Sequence, residues 1–168
     1  MDEARRGEGT DDGTRRIQTA VTRIVRWAGR SDVRRRLLGP AGAELSVVDV
    51  NLLRTVTASG PLRISELAER HGVDKSTMTT QVRRLEERGL VERRPDPKDG
   101  RGVLVRATAR GRRARSRMDA AGTAVFTELL QDWSDADRAA LVELIERFAL
   151  QLDERPVGHA PPGGDSAA

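Results

Sequence analysis

Apolar residues recur at helical spacing along most of the chain, and this pattern predicts a mainly helical protein. In residues 17–28 they repeat at intervals of three and four, the spacing of one face of an α-helix. Residues 114–129 carry a second apolar stripe, and residues 141–152 carry a third, in a helix that Ser134 is placed to cap. The stripes are broader than a lone helix needs, so we expect both ends of the chain to pack against a second subunit.

The middle of the chain begins with a well-delimited helix. Ser46 and Asp49 stand three residues apart, as in a capping box, and the apolar face that follows includes Val50. The run Ser59-Gly60-Pro61 contains two residues that do not continue a helix. We therefore predict one helix between residues 46 and 60.

Two shorter helices follow it and predict a helix-turn-helix. The first starts at Ser65 and stops at Gly72, which suits the left-handed position after a helix. The second starts after Asp74, a good N-cap, and stops at Gly89, where a Schellman turn would bring Leu90 back to the helix. Helices joined by so short a turn form a helix-turn-helix.

A β-hairpin is predicted directly after the helix-turn-helix. Residues 91–94 and 103–107 contain β-branched residues and read as strands, and the segment PDPKDGRG between them reads as the tip. The predicted fold class is therefore mainly α with a small β-hairpin wing (α+β). It is a winged helix-turn-helix with N- and C-terminal dimerisation helices.

Composition divides the chain into one domain and two tails. Residues 1–13 and 154–168 are rich in Gly, Pro, Ala and charge without periodicity, and we expect them to be disordered. Between them we predict a single domain over residues 14–153. Residues 46–111 form its winged helix-turn-helix, and residues 14–45 and 112–153 form its dimerisation helices.

Positive charge is concentrated in the middle of the chain. From Arg63 to Arg117 there are sixteen Lys and Arg against eight Asp and Glu, whereas the remainder carries fourteen against eighteen. A basic middle between acidic ends indicates a surface that faces a polyanion. A solvated charged face without a partner is the alternative interpretation.

The second helix of the pair is predicted to face nucleic acid. Met78, Val82 and Leu85 repeat toward the core, and the other side chains can hydrogen-bond base edges and phosphates. An α-helix also has the width of a major groove. The predicted DNA contacts on this helix are Lys75, Ser76, Thr77, Thr80, Gln81 and Arg84.

The hairpin would lie beside the same duplex. We expect Arg101 at its tip to enter the minor groove. Asp99 would hold that guanidinium in place by accepting hydrogen bonds from Arg101 or from backbone N–H groups of the wing. The predicted phosphate contacts, which add affinity without reading sequence, are Arg93, Arg94, Lys98 and Arg106.

Composition also argues against catalysis. The chain has no Cys, and its histidines are His71, at a helix end, and His159, in a tail. No nucleophile with a base, no Gly-rich phosphate loop and no metal-ligand spacing is evident. We expect a protein that is not an enzyme and that has no catalytic residue, no metal site and no cofactor.

Nothing in the sequence predicts a membrane partner. No apolar run approaches the ~20 residues of a membrane-spanning helix, and the segment MDEARRGEGTDDGT lacks the apolar core of a signal peptide. We therefore expect the protein in the cytoplasm.

Residues 62–111 resemble the winged helix-turn-helix of the MarR family of bacterial transcription regulators. The flanking helical stripes are similar to the outer helices of that family. Asp99 and Arg101 match the wing sequence Asp-Arg-Arg of the family, whereas Gly100 replaces its middle arginine. Thr80 stands where family members often have a larger polar residue, and Val50 stands where they often have an aromatic one.

The resemblance implies a homodimer that binds a palindromic operator, and a repressor that responds to a ligand. In many members a small aromatic or phenolic molecule enters a cleft between the dimerisation and DNA-binding regions. The predicted partners are thus double-stranded DNA, a second copy of the chain and a small aromatic or anionic effector. The candidate effector pocket here comprises Arg23, Trp27, Val50 and Arg54. Trp27 as a plain core or interface residue is the alternative.

Two other functions stay open from the residues alone. A winged helix can act as a protein-interaction adaptor, which would place an apolar or acidic patch on the second helix. A non-specific architectural DNA binder would spread Lys and Arg over the whole surface, whereas the ends of this chain are acidic. The function predicted first is sequence-specific DNA binding in transcription regulation.

Overall fold

A computed structural model describes the backbone of residues 2–154 and the side chains of residues 12–99 and 102–152. Tertiary contacts separate the chain after Phe126 into two compact units, where we expected a single domain over residues 14–153. Of the predicted tail at residues 154–168, Glu154 is the last residue of α7, and residues 155–168, which include His159, lie outside the described residues. None of the described helices combines the length and the apolar character that crossing a bilayer requires.

The described residues form seven helices and three strands. The helices are α1 (Asp2–Ala28), α2 (Ser31–Gly42), α3 (Val47–Ser59), α4 (Ile64–Arg70), α5 (Lys75–Glu87), α6 (Ala109–Leu129) and α7 (Asp135–Glu154). The strands are β1 (Leu62–Arg63), β2 (Val91–Asp96) and β3 (Asp99–Ala107). The mainly helical fold with a small antiparallel sheet is the one that the sequence predicts.

The N-terminal helix is longer than expected. We expected residues 1–13 to be a disordered tail, but α1 begins at Asp2 and includes them from there on. Acidic residues at a helix N-terminus favour the helix through its dipole, and Ala, Arg and Glu are good helix formers. These local preferences outweigh the glycines that suggested a tail.

The segment after α1 forms a helix of its own. α2 is interrupted at Gly39, which adopts φ 58° and ψ −174°, and helical hydrogen bonding resumes at Pro40. Gly39 and Pro40, two residue types that commonly end a helix, therefore form a kink within α2, because Pro is tolerated in the first turn that follows the break.

The predicted caps of the helix-turn-helix are confirmed. The Ser46 Oγ accepts the Asp49 N–H while the Asp49 carboxylate accepts the Ser46 N–H, which is a complete capping box. α4 and α5 both end in Schellman turns, with Gly72 at φ 62° and Gly89 at φ 68°. After Gly89, the Leu90 N–H donates to the Leu85 carbonyl at 2.9 Å.

The sheet contains one strand that the sequence analysis missed. β1 pairs antiparallel with β3, Leu62 opposite Val105, and the strand order is β1-β3-β2. The hairpin strands extend beyond the predicted ones, so that Pro97 and Lys98 alone form the turn, with an irregularity between Pro95 and Asp96. A two-residue strand such as β1 has too little local pattern to be recognised from sequence.

The core of the first unit lies where α3, α4, α5 and α6 meet the sheet. The predicted inward faces of α3 and α5 are buried there. α6 approaches this core closely at Gly111, because a Cβ on that residue would lie 2.0 Å from the Leu90 carbonyl oxygen. The fully buried side chains are Leu52, Leu53, Val56, Leu67, Met78, Val82, Leu85, Val91, Val105 and Met118.

Gly111→Ala is expected to destabilise the protein, because the added methyl group collides with the Leu90 carbonyl and pushes α6 off the core. Overpacking of this kind costs about 1–3 kcal/mol. Gly13→Ala is the matched control, since it adds the same methyl group to a helix at a position with no atom within 4 Å. Urea unfolding should show the loss for Gly111→Ala and none for Gly13→Ala; equal stabilities would contradict the close approach of α6.

Candidate nucleic-acid interface

One face of α5 is polar and open to solvent. Met78, Val82 and Leu85 turn inward and are fully buried, while the N-terminal half of the helix exposes polar side chains on the opposite side. These are Lys75, Ser76, Thr77 and Thr80, four of the six residues that the sequence predicts as contacts on this helix. We refer to α5 as the recognition helix.

Hydrogen bonds within the recognition helix orient its hydroxyl groups. Asp74 accepts the Thr77 N–H at 2.8 Å and the hydroxyls of both Ser76 and Thr77. These hydrogen bonds, with Ser76 first, hold the pKa of Asp74 well below its usual range. The Thr80 hydroxyl donates to the Ser76 carbonyl at 3.1 Å. Because these hydroxyls already donate within the protein, they offer an outside partner mainly their acceptor lone pairs.

Gln81 does not belong to the exposed face. The sequence analysis assigned it to DNA contact, but its side chain is 8% exposed and lies on the stripe of Met78 and Leu85. A residue three positions after Met78 and four before Leu85 shares their face of a helix, and this spacing was given too little weight. Its Oε1 has no hydrogen-bond partner in the described part of the chain.

Arg84 is attached to α3 rather than extended freely into solvent. Its guanidinium donates to Asp49 Oδ1 at 3.2 Å, and Asp49 is buried while its other oxygen caps α3. About half of the Arg84 side chain is exposed. The buried carboxylate thus couples α3 to the recognition helix, and the sequence analysis recognised only its capping role.

The wing is clamped by Arg63, a residue that the sequence analysis did not select. From β1 its guanidinium donates to Asp96 at 2.6 Å and to Asp99 at 3.1 Å. Asp96 is buried and also accepts the Lys98 N–H at 2.9 Å. That N–H, followed by Arg63, lowers the pKa of Asp96, and Asp96 in turn raises the pKa of Arg63.

Asp99 therefore has a partner that we did not expect. The structure pairs it with Arg63, and the hydrogen bonds that the sequence analysis expected from Arg101 or from wing backbone N–H groups stay a prediction. Residues 63 and 99 are far apart in the chain, so only the pairing of β1 with β3 brings them together. The side chain of Arg101 lies outside the described residues.

Three of the predicted phosphate contacts are engaged by glutamates. Glu92 accepts from Arg106 at 2.7 Å and from Arg94 at 2.9 Å across the face of the hairpin, and Arg106 contributes most to lowering its pKa. Arg93 Nε lies 3.3 Å from a Glu86 carboxylate oxygen, an ion pair without hydrogen-bond geometry. Lys98 is exposed at the turn. Phosphates would therefore have to displace glutamates from the arginines.

Two of the four predicted effector-pocket residues share a cavity. Val50 and Arg54 line a cavity of about 310 Å³, whereas Arg23 and Trp27 do not. Arg34 joins them with a buried Nε that has no hydrogen-bond partner among the described groups, although another of its nitrogens donates to the Leu45 carbonyl. The remaining lining is Ala28, Leu37, Leu38, Val47, Asn51, Gly122 and Phe126.

Comparison with known proteins identifies relatives of this chain. The MarR family model matches residues 45–103. The HTH-type transcriptional regulator YxaD of Bacillus subtilis is 33% identical over 97 residues, which are 58% of this chain and 68% of that protein. The HTH-type transcriptional repressor IacR of Pseudomonas putida is 32% identical over 104 residues, 61% of this chain and 62% of its own.

The fold is shared with solved structures. Streptococcus pneumoniae FabT in complex with DNA superposes with a TM-score of 0.69 at 19% identity, over 84% of this chain and 98% of that chain. The chain spans about two thirds of the length of the curated relatives named above.

Arg63→Gln is expected to loosen the wing, because Asp96 and Asp99 both lose their guanidinium partner. Amide hydrogens of residues 91–107 should exchange roughly tenfold faster, as expected for local opening after loss of charge-assisted hydrogen bonds. Arg83→Gln is the control, since it removes an exposed ion pair with Glu87 that contributes little. Hydrogen exchange followed by mass spectrometry decides, and unchanged wing protection in Arg63→Gln would refute the clamp.

The wing should also weaken in acid. The pKa of Asp96 is lower in the folded chain than its ordinary value of 3.8. Its contribution to stability is therefore complete above pH 3.8 and is lost as the pH falls through the folded-state pKa. Urea unfolding between pH 2 and pH 6 should show less acid destabilisation in Asp96→Asn than in the unaltered chain, and identical pH profiles would contradict the assignment.

Proposed function

Since this chain belongs to the MarR family of transcription regulators, we propose that it binds double-stranded DNA as a homodimer at a palindromic operator and represses transcription there. The single observation that carries this proposal is the capped recognition helix with Lys75, Ser76, Thr77 and Thr80 on its open face. A helix of this kind fits the major groove, with its N-terminal residues toward the bases. We further propose that the protein acts in the cytoplasm, where its DNA target lies.

The chemistry of the open face suggests which base groups are read. The hydroxyls of Ser76, Thr77 and Thr80 donate to Asp74 and to backbone, which leaves acceptor lone pairs for the amino groups of adenine and cytosine. Lys75 at the helix start supplies a donor for guanine or phosphate. FabT, which shares this fold, is described in complex with DNA, and this supports DNA binding as the function proposed here.

The wing is proposed to follow the DNA backbone. Arg63 fixes the hairpin, and Arg94, Lys98 and Arg106 on it would contact phosphates once Glu92 is displaced. Arg101, near the turn, is proposed to enter the minor groove, where narrow A·T-rich sequence attracts arginine. Because Glu92 already neutralises part of the charge of Arg94 and Arg106, binding would release fewer counterions from the DNA than the number of arginines suggests.

A small anionic aromatic molecule is proposed as effector. The cavity beside Val50 combines apolar walls with Arg34 and Arg54. Among the described residues the Nε of Arg34 has no hydrogen-bond partner, and a carboxylate or phenolate would supply one. The cavity lies against α3, whose Asp49 holds the recognition helix through Arg84. A ligand there would therefore alter the helix that reads DNA.

Dimerisation is proposed through the outer helices. α1 exposes Ile17, Ile24 and Val25 by more than half of their surface. α7 exposes 54% of Ile145 and 44% of Phe148. Apolar faces of this size seek a partner, and oligomers of identical chains are mostly two-fold symmetric. The two recognition helices would then lie about 34 Å apart, in successive major grooves.

The experiment that tests the function is selection of genomic DNA fragments by the purified protein at two salt concentrations. An enriched inverted repeat, with half-sites about ten base pairs apart, is expected. Enrichment without a motif that vanishes at high salt would indicate counterion-release attraction alone and would favour an architectural role. Absence of any DNA binding would favour an adaptor.

Thr80→Ala and Lys98→Gln should affect operator binding differently. Thr80→Ala is expected to relax specificity at one base position at a cost of about 1–3 kcal/mol, whereas Lys98→Gln should lower the salt slope by about one. Arg138→Gln, on α7 and paired with Asp135, is the control for loss of one positive charge. Fluorescence anisotropy over a salt series with single-base operator variants separates the two effects. A uniform loss for Thr80→Ala over all sequences would contradict base reading.

Ile145→Asp with Phe148→Asp is expected to convert the dimer to a monomer. Both side chains are about half exposed in the single chain, so the change costs an isolated subunit little while it places charge in the interface. Interface anchors contribute about 2 kcal/mol or more each, or about thirtyfold in Kd. Sedimentation equilibrium measures the change, with Glu146→Gln as the control on the same helix. A dimer of unaltered affinity would exclude α7 from the interface.

A further inference from the structure

A second cavity in the first unit is lined by four arginines. It has a volume of about 470 Å³ and lies where α2 ends and where α5 meets the start of α6. We call it the arginine cleft, after Arg88, Arg110, Arg113 and Arg117. It shares no lining residue with the cavity beside Val50.

The guanidiniums of the arginine cleft have no partner in the part of the chain that the structure describes. Among the described residues, none of the four makes a side-chain hydrogen bond or an ion pair. On other faces of the same helix, Arg112 donates to the Ala107 carbonyl and Arg115 pairs with Asp119. Arg112 and Arg115 on α6 thus have partners within the protein, whereas the arginines of the cleft can bind a ligand.

One arginine of the cleft, Arg110, is placed unfavourably for the helix itself. It lies in the first turn of α6, which, like that of α5, contains no acidic residue, whereas α3, α4 and α7 each carry acidic residues there. Positive charge near a helix N-terminus opposes the helix dipole. A local rule broken in this way, next to a cavity, is typical of a binding site for an anion.

Close packing fixes the geometry of the arginine cleft. Gly111 allows α6 to approach the Leu90 carbonyl, and Arg110 crosses the Schellman turn so that its Cδ lies 3.9 Å from the Cβ position of Gly89. Arg88 is the C-cap residue of the recognition helix. The four guanidiniums therefore come from two elements that are held rigidly together.

The floor of the arginine cleft is apolar. Pro40, Ala41, Leu45, Leu90 and Ala114 line it, and two carboxylates stand among the arginines. These are Glu44 and Glu87, of which Glu87 is already paired with Arg83 at 2.9 Å. DNA phosphates need no apolar floor, and Arg88 lies about 20 Å along the helix from Lys75, since each residue rises 1.5 Å. A small molecule with an apolar part fits better than a DNA backbone.

We propose that the arginine cleft binds a small phosphorylated molecule with an aromatic or other apolar body. The phosphate binds between Arg113, Arg117 and Arg88, and the apolar body rests on Leu45 and Ala114. Guanidinium forks bind phosphate oxygens in pairs, which matches unpaired arginines on a concave surface. The site differs from the proposed effector cavity and does not depend on the proposed DNA binding.

The test is calorimetric titration of the full-length protein with 1-naphthyl phosphate, 1-naphthol and inorganic phosphate. We expect one molecule of 1-naphthyl phosphate per chain, bound at least about tenfold more tightly than either of the other two, because only it engages both the arginines and the floor. No binding at millimolar concentration would overturn the proposal. Equal binding of 1-naphthol would overturn it as well, since the ring alone would then explain the affinity.

Two double variants locate the site. Arg113→Gln with Arg117→Gln should weaken 1-naphthyl phosphate by at least about tenfold, whereas Arg112→Gln with Arg115→Gln, an equal change of charge on the same helix, should change it less than about twofold. Equal losses of affinity in the two double variants would show a general electrostatic attraction of the ligand to positive charge and would refute the site. Arg113→Gln alone, a single substitution at an exposed residue, repeats the test if the double variant does not fold.

The selected operator separates this proposal from the proposed function. Without ligand, Arg113→Gln with Arg117→Gln should bind that operator within about threefold of the unaltered chain. A larger loss would assign these arginines to the DNA backbone and overturn the small-molecule site. A chain that binds no operator but still binds 1-naphthyl phosphate would refute the proposed function alone.

Discussion

The carboxylate of Asp49 is buried between the start of α3 and the recognition helix, and its two oxygens face different elements. One oxygen accepts the Ser46 N–H and the other accepts the Arg84 guanidinium. A buried carboxylate without these donors would be strongly unfavourable, so α5 cannot turn about its axis or slide without leaving that charge unpaired. The direction in which the open face of α5 points, and with it the position of the wing and of the arginine cleft, depends on this contact.

Arginines of the sheet are paired with carboxylates of the protein itself. Arg63 is occupied by Asp96 and Asp99, and Glu92 lies between Arg94 and Arg106. The first group is partly buried and holds the wing in shape, whereas the second is exposed and can exchange partners. Arginines at the wing therefore either hold its shape or exchange partners, and the net count of Lys and Arg does not distinguish these two roles. The arginines of the cleft, which pair with no carboxylate among the described residues, form a third class.

Local features of this fold could be predicted from sequence, and contacts between distant residues could not. The caps at Ser46 and Asp74 and the turns at Gly72 and Gly89 depend on a few neighbouring residues, and all are present. The strand β1 and the Arg63 clamp depend on residues more than thirty positions away. Gln81 was assigned by its polarity although its spacing placed it with the core. The candidate site was therefore predicted as a set of residue types on the right helix and hairpin, while their pairing required the three-dimensional structure.

The sheet joins segments that are synthesised far apart. The turns of the helix-turn-helix close within a few residues, so that the caps and turns of α4 and α5 need no partner distant in sequence. Leu62 must wait for Val105 before β1 has a partner, and Gly111 must follow before α6 closes over Leu90. Contacts of long sequence separation form late because the entropy of closing the loop is lost before they contribute. The order of translation thus makes the recognition helix an early element of folding and the wing, together with α6, the step that completes the domain.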